Sequence, residues 1–388
     1  MDNKFNKYIE ALSANYSDEN MYNLCDYLKN NPFDKYQIAE LTCVLAKSGA
    51  TLSFNDCQTS DIPSTGGPSS LSTIICPLIL KEYFTVPKLG IVGRPAGGID
   101  VLSQIEGYRI KLNQNDIYQI IKKTNYCHFI SNNEYAPLDS LLFRYRSENN
   151  FKDIPSLVIA SLLAKKVAVG VKQVCLDIRY SNYGTFGKSL LESELLSLNF
   201  KEVADLLGIK STFYFSDNNM LMQPYIGRGE ALLAIAEILN ENNNLWLNNH
   251  ISDCKRIVET LLQKEISHNK LNETINKNFI ENIENQKGTF DSFVDIAKKT
   301  KGLHIYEFIA LQKGIVKIDI EKMRNLIVDI QKKYATINNE FPDPCGIIFY
   351  KNQNETVSVN DLILTYRVKQ DDLQLFQIEL GNIITIID

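Results

Sequence analysis

Between Thr51 and Leu80 the chain carries no lysine or arginine. That gap surrounds the loop Asp61 to Ser72, DIPSTGGPSSLS, which runs directly into the apolar stretch TIICPLIL. Small residues leave backbone N–H groups accessible, and such a loop entering a helix can hold an anion. A fixed positive charge normally completes a phosphate site, so its absence here is the question the sequence raises. Other absences narrow the field. The eight cysteines (Cys25, Cys43, Cys57, Cys76, Cys127, Cys175, Cys254, Cys345) form no CxxC pair and keep mostly apolar company, so they read as small hydrophobes and not as a zinc or disulfide framework. His128, His250, His268 and His304 are too dispersed to suggest a transition-metal site. No metal or cofactor is expected. The first twenty residues have no apolar core of the signal-peptide kind, and no run approaches the ~20 apolar residues of a membrane span. The expectation is therefore a cytoplasmic chain with no membrane partner. A net charge of −5 gives no reason to expect nucleic acid.

What is present is 388 residues, 44% hydrophobic and 22% charged, enough for a substantial core and more than one domain. Residues 5–50 read as short amphipathic helices. From Ser60, apolar runs such as KLGIVG, VKQVCLDIRY and STFYFSD alternate with helical stretches at the spacing of βα units. The expected fold class is α/β: a small all-helical domain, discontinuous over 1–55 and 132–170, beside a larger α/β domain over 56–131 and 171–340 with a mostly parallel central sheet. A C-terminal β-rich part is expected over 341–388. The Asn-rich runs after residue 240 read as solvated faces, and Lys351 lacks the surroundings of a modified lysine.

Several segments, in one order, resemble the pyrimidine nucleoside phosphorylase family, which includes thymidine phosphorylase. They are STGG (Ser64 to Gly67) followed by a serine and a CP step, VGRPAGGIDVLSQIEGY, APLDSLLFRYR with IPSLVIASLLAKK, VCLDIRYSNYGTFGKS, and FSDNNMLMQPYIGRGEALLAIAEIL. The resemblance implies a cleft between the two domains and a homodimer. It also places the pyrimidine-binding groups on Arg146, Ser161 and Lys165, with Arg146 and Lys165 catalytic. Ser161 and Lys165 lie four apart and so share a helix face. Cations aimed at the carbonyls of a departing base stabilise the transition state more than the ground state. On the residues alone, Lys165 and Lys166 read better as the surface of an amphipathic helix, with Arg146 solvated beside Arg144; the matched order of motifs reverses that preference in favour of a pyrimidine-binding constellation.

The phosphate half departs from the family pattern. The lysine and histidine that precede STGG in the family become Ile62 and Pro63, and the serine and threonine flanking the next loop become Val92 and Ile99. Ser64, Thr65, Gly66, Gly67 and Ser72 remain as candidate anion or acceptor contacts. Arg94 is the nearest candidate for a replacement cation, and Arg228 is another. Asp61 reads as a turn or cap aspartate, with a general base for water as the alternative. His128 reads as a core histidine and Asp177 as structural. The expected function is glycosyl (pentosyl) transfer at the N-glycosidic bond of a pyrimidine nucleoside or analogue, with an altered acceptor or a rebuilt phosphate site. The alternatives are an inactive pyrimidine-binding or regulatory homologue and, less favoured, an anthranilate phosphoribosyltransferase-like enzyme. The expected partner is a small pyrimidine nucleoside or base.

Overall fold

A computed structural model describes residues 3–55, 57–131, 133–184, 186–240, 244–267 and 270–388; His268 lies outside the described residues. The chain opens with α1 (Asn3–Ala14), α2 (Asp18–Asn30) and α3 (Lys35–Ala46). Side chains start the second and third of these: Ser17 accepts from the Asn20 N–H, and Asp34 from the Tyr36 and Gln37 N–H groups. Next come β1 (Ser60–Asp61), α4 (Ser72–Leu80), β2 (Val86–Gly90), α5 (Gly98–Leu102), α6 (Gln114–Thr124) and β3 (Tyr126–Ile130). The chain then returns to the helical layer with α7 (Pro137–Glu148) and α8 (Pro155–Ala168), both with proline in the first turn, where a missing N–H costs nothing. These two pack on α2 and α3, so the helical bundle is built from two separate stretches of chain.

The sheet resumes with β4 (Gln173–Tyr180), α9 (Leu190–Leu206) and β5 (Lys210–Asp217). Strands β1, β4 and β5 pair in parallel, as do β2 and β3. A parallel bridge between Thr59 and Thr85 joins the two groups, giving the order β3-β2-β1-β4-β5. The central sheet is thus parallel, as its apolar strand runs imply. One face of it is covered by α4 together with β6 (Tyr225–Ile226), α10 (Arg228–Leu239), α11 (Leu245–Leu262), α12 (Leu271–Asn285) and α13 (Phe290–Lys301), with Ile75, Leu232, Val258 and Phe279 in that core. The remaining elements are β7 (Tyr306–Ile309), β8 (Gly314–Ile318), α14 (Ile320–Lys333), β9 (Cys345–Phe349), β10 (Thr356–Val357), β11 (Leu362–Val368), α15 (Leu373–Ile383) and β12 (Ile384–Ile387). They form two antiparallel sheets, β6-β9-β11-β7 and β10-β8-β12. The β-rich unit therefore takes in 306–318 as well as the region after 341; β7 was hard to see because its residues alternate only between half-buried and exposed.

The helical bundle and the sheet share one apolar core, running from Phe5, Leu24 and Leu41 through Leu163 to Val174 and Leu176 of β4. A buried ion cluster crosses the same boundary. Asp61 at the end of β1 accepts from Lys88 Nζ of β2 at 2.8 Å and from Lys166 Nζ of α8, and all three residues are buried. Lys88 also donates to the Ile62 carbonyl at 3.0 Å. Burial alone would raise the Asp61 carboxyl, but Lys166 and then Lys88 outweigh it and hold the group below the usual carboxylate range. One carboxylate thus neutralises charge from both layers. Removing it strands two buried ammonium groups. Asp61→Asn should destabilise the fold by about 3–5 kcal/mol, read as a lower denaturant midpoint. A loss under about 1 kcal/mol would show that the cluster is not what joins bundle to sheet.

Candidate functional site

The loop from Ser64 to Ser72 lies over the C-terminal end of β4. Ser64 bridges to Asp177, the Thr65 N–H donates to the Asp177 carbonyl at 3.0 Å, and Thr65 Oγ1 accepts from the Arg179 N–H at 2.9 Å. Both following glycines have positive φ, +134° for Gly66 and +112° for Gly67. At Gly67 a Cβ would stand 2.7 Å from Asn218 Oδ1 and 3.2 Å from Arg179 Nη1. Only glycine fits there. A Cβ on Gly66 would meet open space, so this part of the loop is uncovered.

Beneath the loop sits the cation that its own sequence lacks. Arg179 is buried, its Nε donates to Asp177 Oδ2 at 3.0 Å, and its Nη2 donates to the same carboxylate and to Ser72 Oγ at 2.8 Å. Ser72 in turn donates to Asp177 Oδ2 at 2.8 Å. Nη1 is buried without a partner and faces Gly67. A buried guanidinium nitrogen with nothing to donate to costs free energy until an acceptor arrives, and the Gly67 N–H is also without a partner among the described residues. Ser72 is already committed inside this cluster, whereas the Ser64 hydroxyl makes only long contacts with its own loop, accepting from the Gly66 N–H at 3.3 Å and donating to the Gly66 carbonyl at 3.5 Å.

His250 of α11 fixes the other end of the loop: its Nε2 accepts from the Leu71 N–H at 2.9 Å, just before α4. Accepting there requires the neutral ring. Burial, with the charge of Arg179 second, pushes His250 down to about 4. His128 is likewise a core group, bonded through Nδ1 to the Tyr126 hydroxyl at 3.0 Å and pushed well below its ordinary value by burial and then by Lys88.

Of the two cations expected to address a pyrimidine, Arg146 already has a backbone partner for each of its nitrogens. Arg146, at the end of α7, directs all three nitrogens to backbone carbonyls: Nε to Phe151 at 3.2 Å, Nη1 to Leu157 at 2.9 Å and Nη2 to Lys152 at 2.8 Å. It clamps the α7–α8 connection. Ser161 and Lys165 are brought together on α8, with Lys165 Nζ donating to Ser161 Oγ at 2.9 Å, to the Ser161 carbonyl at 2.8 Å and to Asp139. Neither Lys165 nor Lys166 is a solvated edge; both are buried. Asp61, enclosed by two ammonium groups and 1% exposed, is a poor base for water.

The remaining arginines divide. Arg228 is engaged by Asp100 at 3.0 Å and by the Pro342 carbonyl. Asp100 also accepts from the Gly93 and Arg94 N–H groups at 2.9 and 3.2 Å, so Arg228 acts at a distance by fixing the loop that carries Arg94. A recess of about 400 Å³ lined by residues such as Lys29, Phe33, Asp153 and Leu196 opens between α2, α8 and α9, away from the glycine loop, and the loop chemistry is the better guide. Among the described residues no helix is long and apolar enough to cross a membrane. All eight cysteines are free, six of them buried.

No family model matches the chain. Individual relatives do. A pyrimidine-nucleoside phosphorylase of Staphylococcus epidermidis is 23% identical over 365 residues, covering 90% of this chain and 84% of the relative. The chain is a homologue of the pyrimidine-nucleoside phosphorylases. The thymidine phosphorylase of Mycoplasma pneumoniae is 24% identical over 343 residues, covering 84% and 81% of the two chains. That of Agrobacterium fabrum is 26% identical over 208 residues, spanning about half of each protein (52% and 47%). In fold, the chain is similar to the anthranilate phosphoribosyltransferase of Thermus thermophilus, with a TM-score of 0.53 at 13% identity, covering 77% of this chain and 96% of that one.

Within this homologue, sequence reasoning missed the roles of Arg179, Lys88 and His250. For Arg179 a signal existed: in DIRY it stands two residues after Asp177, so on a strand both side chains leave the same face.

The unfolded chain keeps a histidine proton up to about pH 6.5, whereas folded His250 binds it only near pH 4. Between those values the unfolded state holds more protons, so this contribution is complete above pH 6.5 and is lost as pH falls. The loss should reach on the order of 3 kcal/mol. His250→Gln keeps an acceptor that does not titrate, so its melting temperature should fall less steeply than wild type from pH 6.5 to 4. Parallel curves would contradict the assignment.

Proposed function

We propose that the chain transfers a pentosyl group from a pyrimidine nucleoside, or a close analogue, to an anionic acceptor held by Ser64, Thr65, Gly66 and Gly67 over Arg179. With hydrogenphosphate as acceptor the step balances: a phosphate oxygen forms a bond to C1′ while the bond from C1′ to the ring nitrogen breaks. The electron pair passes to the base, and the phosphate proton ends on that base. Products are the free pyrimidine and a pentose 1-phosphate. Charge accumulates on the leaving base, where Lys165 and Ser161 stand as its contacts, a base carbonyl taking the place that Ser161 Oγ now holds on the ammonium. Arg146 is a positioning residue in this reading, holding the segment from which α8 starts. Ser72 also positions, by keeping Arg179 and Asp177 in register.

The observation that carries the proposal is the unpartnered Nη1 of buried Arg179 beneath Gly67. It supplies the positive donor that the loop lacks, from a strand instead of from the loop itself. A second reading, a pyrimidine receptor without turnover, is favoured by one feature: Lys165 is already saturated by Asp139 and Ser161. A homodimer in the cytoplasm belongs to the same proposal, and light scattering of the purified chain reads the first part of it.

Incubation with thymidine, deoxyuridine, uridine and cytidine, with and without phosphate, should release free base only when phosphate is present. Release without phosphate would mean a hydrolase, and stabilisation by nucleoside without release would mean a receptor. Arg179→Lys retains the charge beside Asp177 but removes the planar donor aimed at Gly67. It should lower kcat/KM for phosphate about 10- to 100-fold. An unchanged value would reject the acceptor site. Lys165→Ala should lower kcat about 100-fold or more, with the fold intact by circular dichroism, and full activity in this variant would remove the base assignment.

A further inference from the structure

The recess between α2, α8 and α9 opens onto a helix start that the chain leaves uncapped. Ile154 and Pro155 supply no side-chain acceptor at the head of α8, and the N–H groups of Ser156 and Leu157 have no partner among the described residues. The Ser156 side chain, only 6% exposed, lines the recess and makes no hydrogen bond among the described residues. A hydroxyl buried to that degree ordinarily finds a partner inside the chain. This one lines an opening of about 400 Å³ instead. The 14 residues of α8 add the positive end of a helix dipole at the same point.

Two opposite charges line the same recess. Lys29, in the last turn of α2, has its ammonium group 5.8 Å from the centroid of the Phe151 ring. Asp153 stands two residues before α8. Neither forms an ion pair, with the other or with any described residue. An ammonium and a carboxylate that share a concavity without meeting are complementary to a ligand that carries both signs. A simple anion would suit Lys29 and the helix start but would lie against Asp153. A simple cation would suit Asp153 but would oppose the helix dipole. Below the charges the floor is apolar, made by Leu28, Phe33 and Leu196.

We infer that this recess binds a free α-amino acid with an apolar side chain. At neutral pH such a molecule is a zwitterion. Its carboxylate takes the N–H groups of Ser156 and Leu157 and the Ser156 hydroxyl, with Lys29 as the facing charge. Its ammonium group, one carbon away, meets Asp153 beside the same helix start, and its side chain lies on the apolar floor. The volume falls within the range of small-molecule sites. The site adjoins the connection whose Phe151, Lys152 and Leu157 carbonyls Arg146 holds, so a bound ligand steadies the segment that leads into the helix of Ser161 and Lys165. Because the recess lies away from the glycine loop, the assignment stands whether or not the chain transfers a pentosyl group.

The test is titration calorimetry on the full chain with L-phenylalanine and L-leucine. Three comparison ligands accompany them: 3-phenylpropanoate, which lacks the ammonium group, phenethylamine, which lacks the carboxylate, and glycine, which lacks the side chain. At least one of the two amino acids should bind with a Kd of about 1 mM or tighter, and each comparison ligand should bind at least about 10-fold more weakly, the effect of one lost charge-assisted contact or of the buried side chain. Asp153→Asn should weaken the amino acid about 10-fold and leave 3-phenylpropanoate within about 2-fold. Ser156→Ala should weaken the amino acid and 3-phenylpropanoate alike and spare phenethylamine. Neither residue is bonded within the chain, so both variants should keep the wild-type melting temperature to within about 2 °C. No binding of either amino acid up to about 10 mM would overturn the site. Binding of 3-phenylpropanoate as tight as that of phenylalanine would mean an anion site and not a zwitterion site. Unchanged amino-acid affinity in both variants would place the ligand elsewhere, which also overturns the assignment.

Discussion

A buried arginine that is one acceptor short organises this site. Asp177 and Arg179 leave the same face of β4, and Ser72 closes the group by donating to the carboxylate and accepting from the guanidinium. Because β4 is central and fully covered, the pair cannot turn to solvent. Its free nitrogen is presented only where the Gly66–Gly67 loop crosses the strand end. Ligand sites in open α/β sheets commonly lie beyond the carboxyl ends of the strands, and here the strand also delivers the charge. The glycines, the bridge from Ser64 to Asp177 and the contact from His250 to the Leu71 N–H are all means of keeping the loop over that nitrogen.

A second constraint is electrostatic closure between layers. The Asp61 carboxylate neutralises one lysine from the sheet and one from the helical bundle, in the region where the two share a core. Such a cluster gives α8 a defined position relative to the loop that begins three residues later. Ser161 and Lys165 therefore stand at fixed positions on α8 relative to Arg179. The same economy of partners appears at Asp100, which receives Arg228 and the two N–H groups of the Arg94 loop.

Much of the architecture was legible in the sequence because it rests on short apolar runs for the buried strands and a period of 3.6 for the helices. The apolar runs at Val86–Gly90 and Gln173–Tyr180 are parallel strands, and the prolines at 137 and 155 begin helices. The glycine loop announced itself by composition. What stayed hidden were pairings, because a pairing depends on which elements meet. A search for the loop's cation near the loop could not find Arg179, more than a hundred residues away, although its spacing from Asp177 marked them as neighbours on one strand face. Lys166 looked like the companion of Lys165 on a wet helix edge; its true partner lies on β1. Arg146, which the family resemblance aims at a base, is surrounded by carbonyls of its own connection, an outcome set by the loop conformation at Phe151 and Lys152.

The most direct measurement is a crystal structure of the chain grown with inorganic phosphate. The account predicts tetrahedral density at the Gly66–Gly67 loop with an oxygen within about 3 Å of Arg179 Nη1. Phosphate bound elsewhere, or a loop that stays empty when phosphate is saturating, would contradict the claim that Arg179 replaces the missing loop cation.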